Sequence, residues 1–135
     1  IIMELDNNAH SVFLLNYHLV LVVKYRRNVF DDTISERAKS IFEYIAPKYH
    51  ITLMEWNHDQ DHVHVFFRAH PKSEISKFIN AYKSASSRLI KKEFPGIKTK
   101  LWKECFWSQS FCLLTTGGAP LSVIKQYIES QGEKR

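Results

Sequence analysis

Cysteine, glycine and proline are all scarce in this 135-residue chain, which has two cysteines, four glycines and four prolines. Two cysteines cannot build a disulfide framework. Cys105 and Cys112 stand an odd number of residues apart in a segment read as extended, which turns them to opposite faces and excludes a mutual bridge. Neither forms a CxxC metal pair. No P-loop glycine pattern occurs, so no nucleotide cofactor is expected. The longest apolar stretch, residues 12–23, is broken by Asn16, Tyr17 and His18 and is shorter than the roughly 18 uninterrupted residues of a membrane helix. No membrane span is therefore expected. Glu4 and Asp6 precede the first cationic side chain, Lys24, which argues against a secretory signal and for a cytoplasmic protein.

What is abundant is apolar and aromatic. Hydrophobic residues make up 44% of the chain and charged residues 24%, with 18 aromatic side chains, the composition of a short-looped globular protein. A chain of this length buries one core without staples, so we read a single domain over residues 1–135 with an ordered core from about 11 to 132. The formal net charge of +5 and pI near 9.2 direct attention to a polyanionic partner.

Residues 12–24 are continuously apolar, as in a strand covered on both faces, and end in the basic turn Lys24-Tyr25-Arg26-Arg27. Asp31 and Asp32 offer an N-cap to a helix carrying Ile34, Ala38, Ile41, Phe42 and Ile45, which Pro47 stops. Ile51–Trp56 and His62–Arg68 read as a β-hairpin around the polar segment 57–61. Ser73–Phe94 reads as a second helix, Leu101–Thr116 as a long, bent fourth strand before Gly117-Gly118, and the residues after Pro120 as a final helix. The order βαββαβ with an appended C-terminal helix predicts an α+β fold. Its form is the split βαβ (ferredoxin- or RRM-like) antiparallel sheet, with two helices on one face. The other face is left for nucleic acid, a partner chain or the last helix.

The most informative residues are Asp61-His62-Val63-His64. In a strand, His62 and His64 share a face, and two neighbouring imidazoles suit a divalent cation; two half-exposed surface histidines are the plainer alternative. Asp61, next to His62, points away in a regular strand and reads as a turn residue or as one that supports the histidines from behind. His10, His18, His50, His58 and His70 have no partner at ligand spacing and read as surface or core histidines. On the last helix Tyr127 and Gln131 stand at i and i+4, so a phenol and an amide face the same way, either as chemistry or as one side of an amphipathic surface helix.

Taken together, these pieces resemble a known family, the short HUH single-tyrosine transposases of bacterial and archaeal insertion sequences, the IS200 group. The resemblance runs from about Tyr17 to Gln131. It includes the Lys24–Arg27 turn, Asp61–His64, the Lys83–Arg88 segment, Leu101–Ser108, the Thr116-Gly117-Gly118 corner and Gln126–Gln131. Gln60 and Ser84 stand where family members commonly carry Pro and Gly. The resemblance implies His62, His64 and Gln131 as ligands of Mg²⁺ or Mn²⁺, and Tyr127 on the last helix as the nucleophile. The products are a 5′-phosphotyrosine and a free 3′-OH, so strands rejoin without ATP. The implied partner is single-stranded DNA with hairpin-forming ends, touched by Lys24, Arg26, Arg27, Lys83, Ser87 and Arg88, with positive field from Lys91, Lys92, Lys98, Lys100 and Lys103. A homodimer is implied, with composite active sites if the last helix swings about Gly117-Gly118 to complete its partner's histidine pair. An HUH endonuclease of replication or conjugation, or a domesticated relative, shares the same chemistry. A non-catalytic RNA- or single-strand-binding sheet is the rival from another class, and it would leave Tyr127 and Gln131 without a role.

Overall fold

The computed structural model describes residues 6–7, 12–115 and 121–132 of the chain. Two short strands, β1 (Asp6–Asn7) and β2 (Val12–Phe13), pair with each other ahead of β3 (Leu15–Val22). The unbroken apolar run Leu19–Val22 in the second half of β3 follows from its position. Leu19 and Leu21 face one side of the sheet, Val20 and Val22 the other, and all four are buried. The strand is shorter than the expected 12–24 because Leu14 interrupts it. Beyond its far end Tyr25 and Arg26 take left-handed backbone (φ 56° and 55°), which turns the chain at Lys24–Arg26.

Helix α1 (Asp32–Ile45) starts where the Asp31 carboxylate accepts a hydrogen bond from the Ile34 N–H at 2.8 Å, and its Ile34, Ala38, Ile41, Phe42 and Ile45 stripe is buried. Strands β4 (Thr52–His58) and β5 (His62–Ala69) form a hairpin, with a register shift between Leu53 and Glu55 that leaves Met54 exposed on the edge strand. Helix α2 (Ile75–Glu93) begins two residues after Ser73. The Ser73 hydroxyl accepts from the His70 N–H at 3.0 Å and so closes the preceding turn instead of capping the helix. Strand β6 (Cys112–Thr115) and helix α3 (Leu121–Ser130) complete the order, and the Gly117-Gly118 corner and Pro120 lie outside the described residues.

The largest departure from expectation is the fourth strand, read over Leu101–Thr116, which among the described residues forms a strand only at Cys112–Thr115, with an isolated bridge from Trp107 to Val23. Pro95–Thr99 and Trp102–Glu104 are 3-10 turns, and Lys103 and Glu104 at φ 49° and 59° break any extended run. Phe106 and Trp107 both turn inward against Phe30, where a regular strand would alternate them. The Trp107 indole N–H donates to the buried Ser86 hydroxyl at 2.9 Å. Aromatic richness that reads as strand propensity here serves packing on α2.

The main sheet runs β4-β5-β3-β6 with every neighbouring pair antiparallel. Helices α1 and α2 cover the face built from Leu19, Leu21, Val63, Val65 and Phe67. On the opposite face Val20, Val22 and Cys112 pack with Ile124, Tyr127 and Ile128 of α3. Helix α3, His62 and His64 thus share the face that α1 and α2 leave uncovered. Among the described residues no helix is long and apolar enough to cross a membrane. Phe42 is the hub of the main core, fully buried against the rings of Trp56, Phe67, Phe78 and Tyr82. Phe42→Ala is expected to cost about 3–5 kcal/mol in guanidinium unfolding, with the helix signal of the folded protein unchanged.

Candidate active site

Alternation along β5 sends Val63, Val65 and Phe67 into the helical core and His62 and His64 to the other face, where their Nε2 atoms stand 2.9 Å apart. Asp61 does not point away from His62. It lies in the bend before the strand, outside the regular alternation, and its carboxylate meets His62 Nδ1 at 2.6 Å while also accepting from Arg26 Nε at 2.8 Å. Burial alone would raise the Asp61 pKa, but the hydrogen bonds and charges of His62 and Arg26 outweigh it and hold the carboxyl below its ordinary range. An ionised carboxylate only accepts, so His62 Nδ1 carries a proton, and in the neutral ring Nε2 then turns its lone pair toward His64.

His18 likewise has a partner that spacing did not reveal. Val20 pairs with His64 and His18 with Phe66 across β3 and β5, which brings His18 Nε2 to 3.1 Å from His64 Nδ1. The His18 ring stacks on Phe66 at 4.4 Å between centroids. Burial first, then the neighbouring His62 and His18, push His64 down to about 4, so this imidazole is uncharged at neutral pH. The donors fit a divalent cation on this ground: two ring nitrogens converge, one oriented by a carboxylate, the other uncharged. Among the described residues no three His, Cys, Asp or Glu side chains gather as a metal cluster.

Tyr127 and Gln131 also meet, on the loop that leads into β6. Ser110 Oγ lies 2.8 Å from the Tyr127 hydroxyl, and the Gln131 amide oxygen accepts from Ser108 Oγ and, at 3.3 Å, from Ser110 Oγ. None of the described hydrogen bonds joins this pair to either histidine. Burial raises the Tyr127 pKa, only partly offset by Ser110, so the phenol here is harder to ionise than in water. The loop is itself held by Lys83, whose ammonium donates to the carbonyls of Ser108 at 2.7 Å, Gln109 at 3.1 Å and Ser110 at 3.4 Å.

The six candidate DNA contacts do not form one surface. Lys24 lines a cleft of about 310 Å³ with Ser108, Ser110 and Gln131. Arg26 is committed to Asp61, and a Cβ on Gly132 at the end of α3 would come to 3.1 Å from its Cδ. Lys83 is half-buried on the loop carbonyls, Arg27 is exposed and Ser87 half-buried, and Arg88 lines the groove between α1 and α2. Of the two roles open to Asp61 in the sequence, the structure takes the one that supports a histidine, whereas His18, Ser108 and Ser110 carried no functional reading. The Ser-x-Ser spacing was visible, but the use of His18 depends on strand register.

The family profile described as "Transposase IS200 like" matches residues 11–131. The chain belongs to the IS200-like transposase family. The ISDra2 transposase TnpA of Deinococcus radiodurans is 34% identical over 132 residues, covering 98% of this chain and 94% of that protein. A transposase for insertion sequence element IS200 of Salmonella typhimurium is 28% identical over 126 residues, 93% and 82% of the two chains. A crystal structure of a candidate transposase from Deinococcus radiodurans superposes with a TM-score of 0.85 at 32% identity, covering 96% of this chain and 99% of that one. A tyrosine transposase bound to a REP hairpin shares the fold, with a TM-score of 0.58 at 10% identity over 92% of this chain and 68% of that one.

In this IS200-like transposase Lys83→Met keeps the aliphatic stem and removes all three donors to the loop. Amide exchange at residues 108–110 is expected to accelerate, with a loss of about 1–3 kcal/mol in unfolding free energy. Unchanged exchange would show that the loop stands without the ammonium.

Proposed function

We propose that this IS200-like transposase cuts and rejoins single-stranded DNA at hairpin-bearing insertion-sequence ends through a 5′-phosphotyrosine on Tyr127. The reading is carried by the two imidazoles that meet at 2.9 Å, one of them oriented by Asp61, on the sheet face that also takes the Tyr127 helix. Family membership supports DNA strand transfer as the reaction class.

His62, His64 and the Gln131 amide oxygen are the proposed holders of Mg²⁺ or Mn²⁺, which when bound supplies polarisation of the scissile phosphate and takes up charge on the departing 3′ oxygen. Asp61 fixes His62 with its lone pair outward, and the low pKa of His64 keeps that ring from repelling a cation. The Tyr127 oxygen attacks phosphorus, giving up the phenolic proton, and the P–O3′ bond breaks. The 3′ oxygen leaves as a hydroxyl. A new 3′-OH attacking the same phosphorus reverses these bonds and restores the phenol, so the energy of the phosphodiester is conserved throughout.

Ser108 and Ser110 engage the Gln131 and Tyr127 side chains within one chain. Serving a histidine pair means giving up these serine hydrogen bonds, and the pair served is proposed to be a partner's, in a homodimer with composite sites. Lys24 and Arg27 are the proposed phosphate contacts nearest the site, with Arg26 reserved for Asp61.

The test is a denaturing gel of wild type and Tyr127→Phe with labelled single strands from both flanks of the gene and Mn²⁺ or Mg²⁺. A denaturant-resistant protein–DNA band is expected for wild type only, lost on chelation and absent with duplex DNA, while Tyr127→Phe still binds the strand. An adduct formed by Tyr127→Phe would sink the nucleophile assignment. His64→Ala is expected to keep the fold and lose metal-dependent cleavage by more than the roughly 10–100-fold typical of groups that only support a ligand.

A further inference from the structure

Three imidazoles and one carboxylate form a continuous line across β5 and β3: Asp61 to His62 Nδ1 at 2.6 Å, His62 Nε2 to His64 Nε2 at 2.9 Å, and His64 Nδ1 to His18 Nε2 at 3.1 Å. Each contact needs one proton between its two atoms, and the acceptor-only carboxylate fixes where the first one is. With His62 neutral and its proton on Nδ1, the 2.9 Å contact is made by His64 Nε2–H donating to His62 Nε2. His64 Nδ1 then holds a lone pair and accepts from His18 Nε2–H. A cation shared by His62 and His64 needs the opposite tautomer of His64, with Nε2 bare and the proton on Nδ1.

We propose that His18 is the positioning residue that lets His64 adopt its ligand tautomer, accepting on Nε2 the Nδ1–H that His64 must carry when it binds a divalent cation. This rests on the reading of His62 and His64 as ligands. The exchange balances without ionising either ring. His64 gives its Nε2 proton to water and takes the His18 Nε2 proton on Nδ1, and His18 takes one from water on its own Nδ1. The stack of His18 on Phe66, at 4.4 Å and 19° between planes, holds the ring in the plane that this exchange requires. His18 therefore does for His64 what Asp61 does for His62, with the difference that a carboxylate can only accept whereas an imidazole serves both tautomers.

The test titrates Mn²⁺ into the full-length wild type, His18→Phe, His18→Gln and His64→Ala, reading free Mn²⁺ by electron paramagnetic resonance. Phe keeps the stack on Phe66 and removes the ring nitrogen, whereas Gln restores an acceptor. Mn²⁺ affinity is expected to fall about 10–100-fold in His18→Phe and to return to within a few-fold of wild type in His18→Gln, with melting temperatures of both close to wild type. Long-range ¹H–¹⁵N spectra of wild type are expected to show His18 passing from the Nε2–H to the Nδ1–H form on addition of Mg²⁺, a change that a purely structural histidine would not make. Wild-type Mn²⁺ affinity in His18→Phe, or a His18 tautomer indifferent to Mg²⁺ while His64 responds, would overturn the role of His18 alone. A wild type that binds no more Mn²⁺ than His64→Ala would overturn the metal reading itself, and this inference with it.

Discussion

Everything at the site depends on the antiparallel ladder between β3 and β5, eight residue pairs from Leu15↔Ala69 to Val22↔His62. Side chains alternate with a period of two, so a slip of one residue would carry His62 and His64 into the helical core and Val63 and Val65 to the open face. The core forbids that slip. Leu19, Leu21, Val63, Val65 and Phe67 are each wholly buried beneath α1 and α2, and exchanging them for histidines would strand polar rings without partners. Hydrophobic burial on one face thus sets the position of the chemistry on the other.

That division explains which features could be read from the sequence. The paired histidines, the Asp31 cap and the buried stripe of α1 are local patterns, and local patterns are visible in a string of letters. The bent aromatic segment was misread because Phe106 and Trp107 have the propensity of strand residues, while their inward packing on Phe30 is a tertiary fact. His18 and Ser86 were invisible for the same reason. His18 meets His64 from 46 residues away, and the value of Ser86 lies in a Trp107 indole 21 residues on. Asp61 stood beside His62 in plain view, but a strand rule was applied one residue beyond the strand's end.

The loop between Trp107 and β6 joins two kinds of interaction. Its carbonyls are gathered by one half-buried ammonium, that of Lys83, while its hydroxyls reach outward to Tyr127 and Gln131. The first set is charge-assisted; the second is made by neutral groups. A net worth of about 0.5–1.5 kcal/mol per neutral hydrogen bond makes the hydroxyl set the more readily exchanged, leaving the loop itself in place. Burial of Ile124 against Val20 and Val22 is then the larger part of what holds α3 to this face.

Gly132 sits where α3 ends against Arg26, and a Cβ there would stand 3.1 Å from Cδ, so that side chain would have to give by a few tenths of an ångström. Arg26 in turn steadies Asp61, and Asp61 steadies His62. Helix α3 and the His62 ring are therefore linked through one long side chain. Added bulk at position 132 would be taken up first by Arg26, and through it by the carboxylate that orients an imidazole.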